Sequence, residues 1–310
     1  GADYTSLAGA LKTFESNLET EVSRRKPFPT MSTGRRTALA KWITDPRHPL
    51  PARVAVNHLW SRHFGQALVP TLFDFGRKGA KPSHPELLDW LAVEFIESGW
   101  SMKHIHRLIV TSATYRMTSS SLNAPESNRQ IDSDNRYFWR MNPTRMEAQI
   151  VRDSLLHLAG ELDLTMSGPS IPVSDAASRR RSLYFVHSHN EHQTFLSIFD
   201  DASVLECYRR SESIVPQQAL ALENSSLASD MAAKIAAAIV SSDPDMPDDQ
   251  FVSAAFRVVL CADPTPQETA AALEALSQFR VTAGSDNLVV NARSLLVQAL
   301  LNHNDFVTIR

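Results

Sequence analysis

Apolar residues recur at three- and four-residue steps along most of this chain, and alternation is confined to one short stretch. That spacing predicts helices. Leu7, Leu11, Phe14, Leu18 and Val22 predict an amphipathic helix over 4–25, and the KPFPTMSTG segment at 26–34 reads as a linker. A short helix over 35–44 should stop at Asp45-Pro46. His48-Pro49-Leu50-Pro51 then launches a helix whose core side is Val56, Leu59, Trp60 and Phe64, ending at Gly65. The chain is organised around the next stretch, 82–116, which predicts two consecutive helices. Ser83 and Glu86 have the spacing of a capping box, and Pro85 falls in a first turn where its missing N–H is harmless. Leu87, Leu88, Leu91, Ala92 and Phe95 form the apolar stripe; Gly99 closes the helix, and Ser101 caps a second one burying Ile105, Leu108, Ile109 and Ser112.

Residues 117–136 are rich in Ser, Asn, Asp and Pro and read as a surface loop. Tyr137, Phe138 and Trp139 follow between Arg136 and Arg140, as a stacking platform or as the anchor of that loop. A helix over 144–162 should bury Met146, Ile150, Leu155 and Leu158. The character changes at Gly168, where GPSIPV and RSLYFVH predict a β-hairpin. A long Ala-rich helix starts near Pro216, and three helices follow at 248–261, 266–280 and 285–302. Aspartates suit the start of the first of these, and a box at Thr265 and Glu268 opens the second. The expected fold class is mainly α, a multi-helix domain with a small β-hairpin element after Gly168. The expected organisation is an N-terminal helix and linker (1–33), a helical half (34–166) and a β-hairpin plus helical half (167–310), the two halves forming one continuous globular unit.

Composition narrows the function. With 310 residues, a net charge of −3 and a pI near 6.4, the chain lacks the basic footprint of a nucleic-acid binder. No apolar run reaches membrane-spanning length, and GADYTSL has no charged region leading into an apolar one, so neither a membrane span nor a signal peptide is expected. Cys207 and Cys261 form no C-x-x-C pair, which leaves either a disulfide or two free thiols. There is no G-x-S-x-G and no phosphate-cradling glycine loop.

Two constellations could carry chemistry. His187, His189 and His192, with Glu191, are the candidate ligands for a divalent metal such as zinc, copper or iron; His84, His104 or Asp74 could complete the set. The alternative is a polar hydrogen-bonded loop. Arg179–Arg181, Arg209 and Arg210 with Arg53, Arg116 and Arg145 could converge on a carboxylate- or sulfate-bearing ligand. Alternatively they pair with Asp200, Asp201, Glu206 and Glu212. Arg53 and Asn57, four apart on one helix, either tie down loop carbonyls or wall a pocket. Asp200 reads as a helix or turn cap. The candidate ligand-binding set is therefore Arg53, Asn57, His84, Arg116, Arg145, His187, Arg209 and Arg210, and no catalytic residue is assigned.

Several stretches resemble the planctomycete PSD1 family, also called DUF1553. They are GRRTALAKWITDPRHPLPARVAVNHLWSRHFG, LFDFGRKGAKPSHPELLDWLAVEFIESGW, KHIHRLIVTSATYR, DNRYFWRMNPTRMEAQIVRDSLLHLAG, RRSLYFVHSHNEHQTFLSIFD, ECYRRSESIVPQQALALENS and LLVQALLNHNDFV. The resemblance implies the C-terminal part of a large exported, extracytoplasmic polypeptide, with c-type cytochrome and DUF1549-like domains upstream as partners. No C-x-x-C-H occurs in this chain, so no haem attachment is expected in it. On this footing the chain is expected to be a non-haem binding or assembly module, engaging an anionic glycan. The alternative is an enzyme acting on a sulfated or uronate polysaccharide with His and Arg side chains in a cleft between the halves.

Overall fold

The computed structural model describes residues 35–122, 124–205, 213, 215–282 and 288–309. The helix expected at 4–25 and the linker after it lie outside the described residues. The chain divides into two compact units at Met141/Asn142, so the change of character at Gly168 falls within the second.

In the first unit the chain runs α1 (Arg35–Ile43), α2 (Pro49–Phe64), α3 (Pro85–Glu97), α4 (Met102–Thr111) and α5 (Glu126–Ile131). Its core is the inner faces of α2, α3 and α4: Val56, Trp60 and Phe64 meet Leu88, Leu91, Phe95, Ile105 and Ile109. Each such side chain, fully buried, contributes about 1.5–3 kcal/mol. Phe138 inserts into this core, 5.2 Å from Phe64 and 5.3 Å from Trp60 between ring centroids. The aromatic run is thus an anchor, while its neighbour Tyr137 stays exposed.

The α3–α4 hairpin forms as expected, with one correction. His84, not Ser83, holds the cap position of α3 and makes no side-chain capping bond. The Ser83 hydroxyl instead donates to the Leu68 carbonyl at 3.3 Å, and its amide donates to the same oxygen at 2.9 Å. The serine pins the incoming chain to residue 68, so it is unavailable to the helix. At the other end Gly99, at φ 70°, supplies the left-handed turn. Its amide donates to Ile96 and that of Trp100 to Phe95, and the Trp100 ring packs edge-on against Phe95 at 5.2 Å. This is a Schellman closure with its hydrophobic contact. Ser101 then caps α4, accepting from the His104 amide.

The second unit contains β1 (Thr144–Arg145), α6 (Ala148–Leu158), a 3₁₀ turn (Ser182–Tyr184), α7 (Thr194–Ile198), α8 (Pro216–Asn224), α9 (Ser226–Ile239), α10 (Asp248–Leu260), α11 (Pro266–Thr282), α12 (Leu288–Leu301) and β2 (Thr308–Ile309). The protein is mainly helical with one small two-stranded antiparallel sheet, but that sheet is not a hairpin after Gly168. Thr144 and Arg145 pair with Ile309 and Thr308, and the Met146 amide donates to the Val307 carbonyl. The first residues of the expected 144–162 helix are therefore strand, and the buried face of α6 turns to Ala148, Val151, Arg152, Leu155 and Leu156, leaving Ile150 exposed. Segments 163–185 make only isolated bridges, Asp163 to Arg180 and Ile171 to Phe185.

The long Ala-rich helix is two helices. Ser225, extended at φ −75° and ψ 139°, ends α8 and caps α9 by accepting from the Ala228 amide. Serine's preference for a cap over a helix interior explains the break. The box at Thr265 forms: its amide donates to Glu268 Oε2 at 2.7 Å, and the Glu268 amide donates to its hydroxyl at 3.3 Å. Among the described residues no helix is long and apolar enough to cross a membrane.

Candidate functional site

The expected site residues divide between the units. In the first, Arg53 Nε donates to Asp89 Oδ1 at 2.6 Å, tying α2 to α3, and its other arm reaches the Pro49 carbonyl. That hydrogen bond raises the Arg53 pKa and lowers that of Asp89. Asn57 is wholly buried; its amide donates to the Val69 carbonyl at 3.1 Å and its oxygen accepts from the Val69 amide at 2.8 Å. It clamps the irregular segment after α2. His84 meets the Ser83 hydroxyl at 2.9 Å and lies among the rings of Tyr137 and Phe138. Arg116 reaches back to the Ser112 carbonyl at 3.4 Å.

In the second unit the arginine triplet is stitched into its own loop. Arg179 lies 3.7 Å from Glu161 and Arg181 3.7 Å from Asp153. Arg180 stacks on Tyr184 at 4.1 Å and donates to the carbonyls of Pro169, Thr165 and Ser167. Gly168, at φ 95°, lets the chain wrap around that guanidinium. Arg152, next to this loop, is 0% exposed and has no carboxylate salt bridge among the described residues. It donates to the Ser178 and Arg180 carbonyls and the Ser182 hydroxyl, with Phe185 under its plane at 5.0 Å. Burial pushes its pKa down and Asp153 opposes this.

The cluster that gathers residues from separate segments centres on Asp200 and Asp201. Asp200 adopts φ 60°, a left-handed conformation that Asp tolerates better than most residues. Its Oδ2 accepts from the Ser213 amide at 2.7 Å, the Ser213 hydroxyl at 2.8 Å and Gln218 Nε2 at 3.3 Å. Gln218, 2% exposed, also donates to the Ile198 carbonyl and accepts from Arg145 at 2.5 Å. Asp201 accepts from Gln149 and from the Ala202 amide, and its Oδ2 lies 3.8 Å from His187 Nδ1. Of the expected ligand-binding residues, Arg145 and His187 therefore belong to one cluster. Asp200, expected as a helix or turn cap, accepts from Ser213 thirteen residues on. Arg209 and Arg210 lie outside the described residues, as does Cys207; Cys261 is an exposed free thiol.

Beside this cluster opens a cavity of about 490 Å³ lined by His192, Thr194, Ser197, Ile198, Asp200, Ser213, Val215 and Gln217. Among the described residues Ser213 alone bonds Asp200 Oδ1, which keeps acceptor capacity toward a ligand donor. The lining offers hydroxyls, an amide, an imidazole and one fixed carboxylate over two apolar side chains. Such a surface matches a ligand that presents several hydroxyl donors and acceptors. The described lining carries no arginine or lysine. Neither Ser213 nor Gln218 stood out in the sequence; the local signal was the Pro216-Gln217-Gln218 helix start shortly after Ser211 and Ser213.

The histidines expected to ligate metal do not lie on a strand: His187, His189 and His192 are exposed on an irregular segment. Among the described residues no group of three or more His, Cys, Asp or Glu has metal-holding geometry.

Residues 35–276 match the family model described as PSD1, protein of unknown function (DUF1553). No curated protein and no solved structure matches the chain.

Proposed function

The chain belongs to the PSD1 (DUF1553) family, and from that premise we propose that it is a binding module whose second unit takes up a hydroxyl-rich ligand of the glycan kind in the cavity beside Asp200. One observation carries this reading: a carboxylate held by Ser213 and Gln218 stands in a cavity whose other polar groups are hydroxyl, amide and imidazole. Pre-set acceptors of this kind bind sugar hydroxyls without the cost of ordering side chains first. Of the arginines expected to hold an anionic glycan, Arg53, Arg145 and Arg180 are already engaged within the protein. The family resemblance further supports an extracytoplasmic setting, with cytochrome-type or DUF1549-like domains of the same polypeptide as partners.

Calorimetry against neutral, uronate and sulfated oligosaccharides tests the reading. Neutral glycans should bind, and Gln217→Ala or His192→Ala, both at exposed positions, should weaken them roughly two- to tenfold, as expected for one hydrogen bond. Silence across the panel, or binding indifferent to both changes, would end it.

A second reading, an enzyme on the same ligand class, rests on the half-exposed His187 facing Asp201 at 3.8 Å. A carboxylate can orient an imidazole as a general base. Hydrolysis of a bound oligosaccharide, abolished in His187→Ala while binding persists, would separate the two.

A further inference from the structure

Two imidazoles meet between α2 and α4 of the first unit. His63 lies in the last turn of α2 and His106 midway along α4, and His63 Nε2 is 2.7 Å from His106 Nδ1. Both side chains are half-buried. The rings stand at 71° with centroids 5.0 Å apart, and Tyr115 closes edge-on against His63 at 5.6 Å. At this separation one nitrogen carries a proton and the other accepts it with its lone pair. The two lone-pair directions therefore converge on one point between the helices, at the protein surface.

We propose that His63 and His106 form a chelating pair for a divalent transition metal, zinc or copper(II). Imidazole is a natural ligand for both ions. The ring that holds its proton on the shared side moves it, through solvent, to its outer nitrogen. Both facing nitrogens then donate lone pairs, and no net proton is released. Zn–N bonds near 2.0–2.1 Å at a tetrahedral angle put two ligand nitrogens about 3.3 Å apart, so the rings need part by only roughly 0.6 Å. Two protein ligands leave the remaining positions to water or to a group from outside. The ion would join α2 directly to α4, which otherwise touch through apolar side chains such as Phe64 and Ile109. This site is separate from the expected His187, His189 and His192 set, which lies in the other unit.

The test uses the full chain stripped with chelator and titrated with zinc. One equivalent should bind, raising the melting temperature as zinc concentration rises. His63→Gln and His106→Gln should each weaken binding at least tenfold, while the triple change His187→Gln, His189→Gln and His192→Gln leaves it unaltered. Because both rings are half-buried, two measurements on the unaltered chain stand beside the variants. Copper(II) should give an electron paramagnetic resonance spectrum with two coupled nitrogens. Zinc should also shift the ¹⁵N ring signals of His63 and His106 in NMR. Absence of binding up to millimolar zinc would overturn the proposal. So would affinity indifferent to both single variants, or ring signals at these two positions that do not move.

Discussion

A guanidinium shut away from water is the sharpest single-residue commitment in this protein. Arg152 has three oxygen partners, Ser178, Arg180 and Ser182, and an aromatic face beneath it. Its planar fork reaches all of them at once, which an ammonium on a flexible stem cannot do. Arg152→Lys should therefore destabilise the chain by about 2–4 kcal/mol despite keeping the charge type, since buried carbonyls lose their donors and a buried lysine tends to give up its proton. A denaturation midpoint equal to the parent's would refute this. Asn57 makes the same argument in neutral form. Asn57→Asp keeps the acceptor for the Val69 amide but turns a second oxygen toward the Val69 carbonyl, so it should cost more than one lost hydrogen bond, roughly 2 kcal/mol or more. At this scale the sequence was partly legible. Asn57 as a loop clamp follows from its place on α2 before a Gly-bounded connection. Arg152 shows only as one more polar residue on a helix, because two of its three partners are backbone oxygens that no side-chain pattern reveals.

Elements were legible where their stop signals are local. Gly65 and Gly99 take positive φ and end helices where expected, and the Thr265 box opens α11 where its residues say. The misreadings arose where a distant segment competes for the same groups. Ser83 is taken by Leu68, and Thr144–Arg145 by the last described residues. The connection at 71–80 is a compact loop of this sort: Thr71 Oγ1 donates to the Asp74 carbonyl and accepts from the Ala80 amide, while Asp74 Oδ1 accepts from Gly76. A Cβ at Gly79 would lie 2.1 Å from the Asp74 carbonyl oxygen, whereas one at Gly99 meets nothing within 4 Å. Gly99→Ala should cost about 1–2 kcal/mol, purely for its left-handed backbone. Gly79→Ala must displace main chain and should cost more. Equal midpoints for the two variants would contradict the steric account.

At the scale of the whole chain, Asp248 holds the second unit's terminal helices together. It begins α10 and accepts from Arg280 of α11 at 2.5 Å and from Arg293 of α12 at 3.0 Å. Burial pushes its carboxyl up, but the two arginines outweigh that and hold it below the ordinary value. A carboxyl lowered in the folded state stabilises fully above its unfolded pKa, near 3.9, and loses that contribution as pH falls through the folded value. The parent should thus lose stability on acidification below about pH 4, and Asp248→Asn should flatten that loss while lowering stability at neutral pH; an unchanged acid profile would exclude the clamp. The mainly helical class and the family of the chain could be read from the sequence. The division at Met141/Asn142 could not, because it depends on which core each helix joins. Phe306 and Val307 complete the second core, at 5% and 4% exposure, just before β2 seals against β1. Joining partners at opposite ends of a unit carries a large loop-closure cost. β1 leaves the ribosome before every described helix of the second unit and β2 after them, so the second core stays open until the residues beyond α12 emerge. The cavity beside Asp200 thereby gains its completed supporting core only after α12 has emerged, well after the residues that line it.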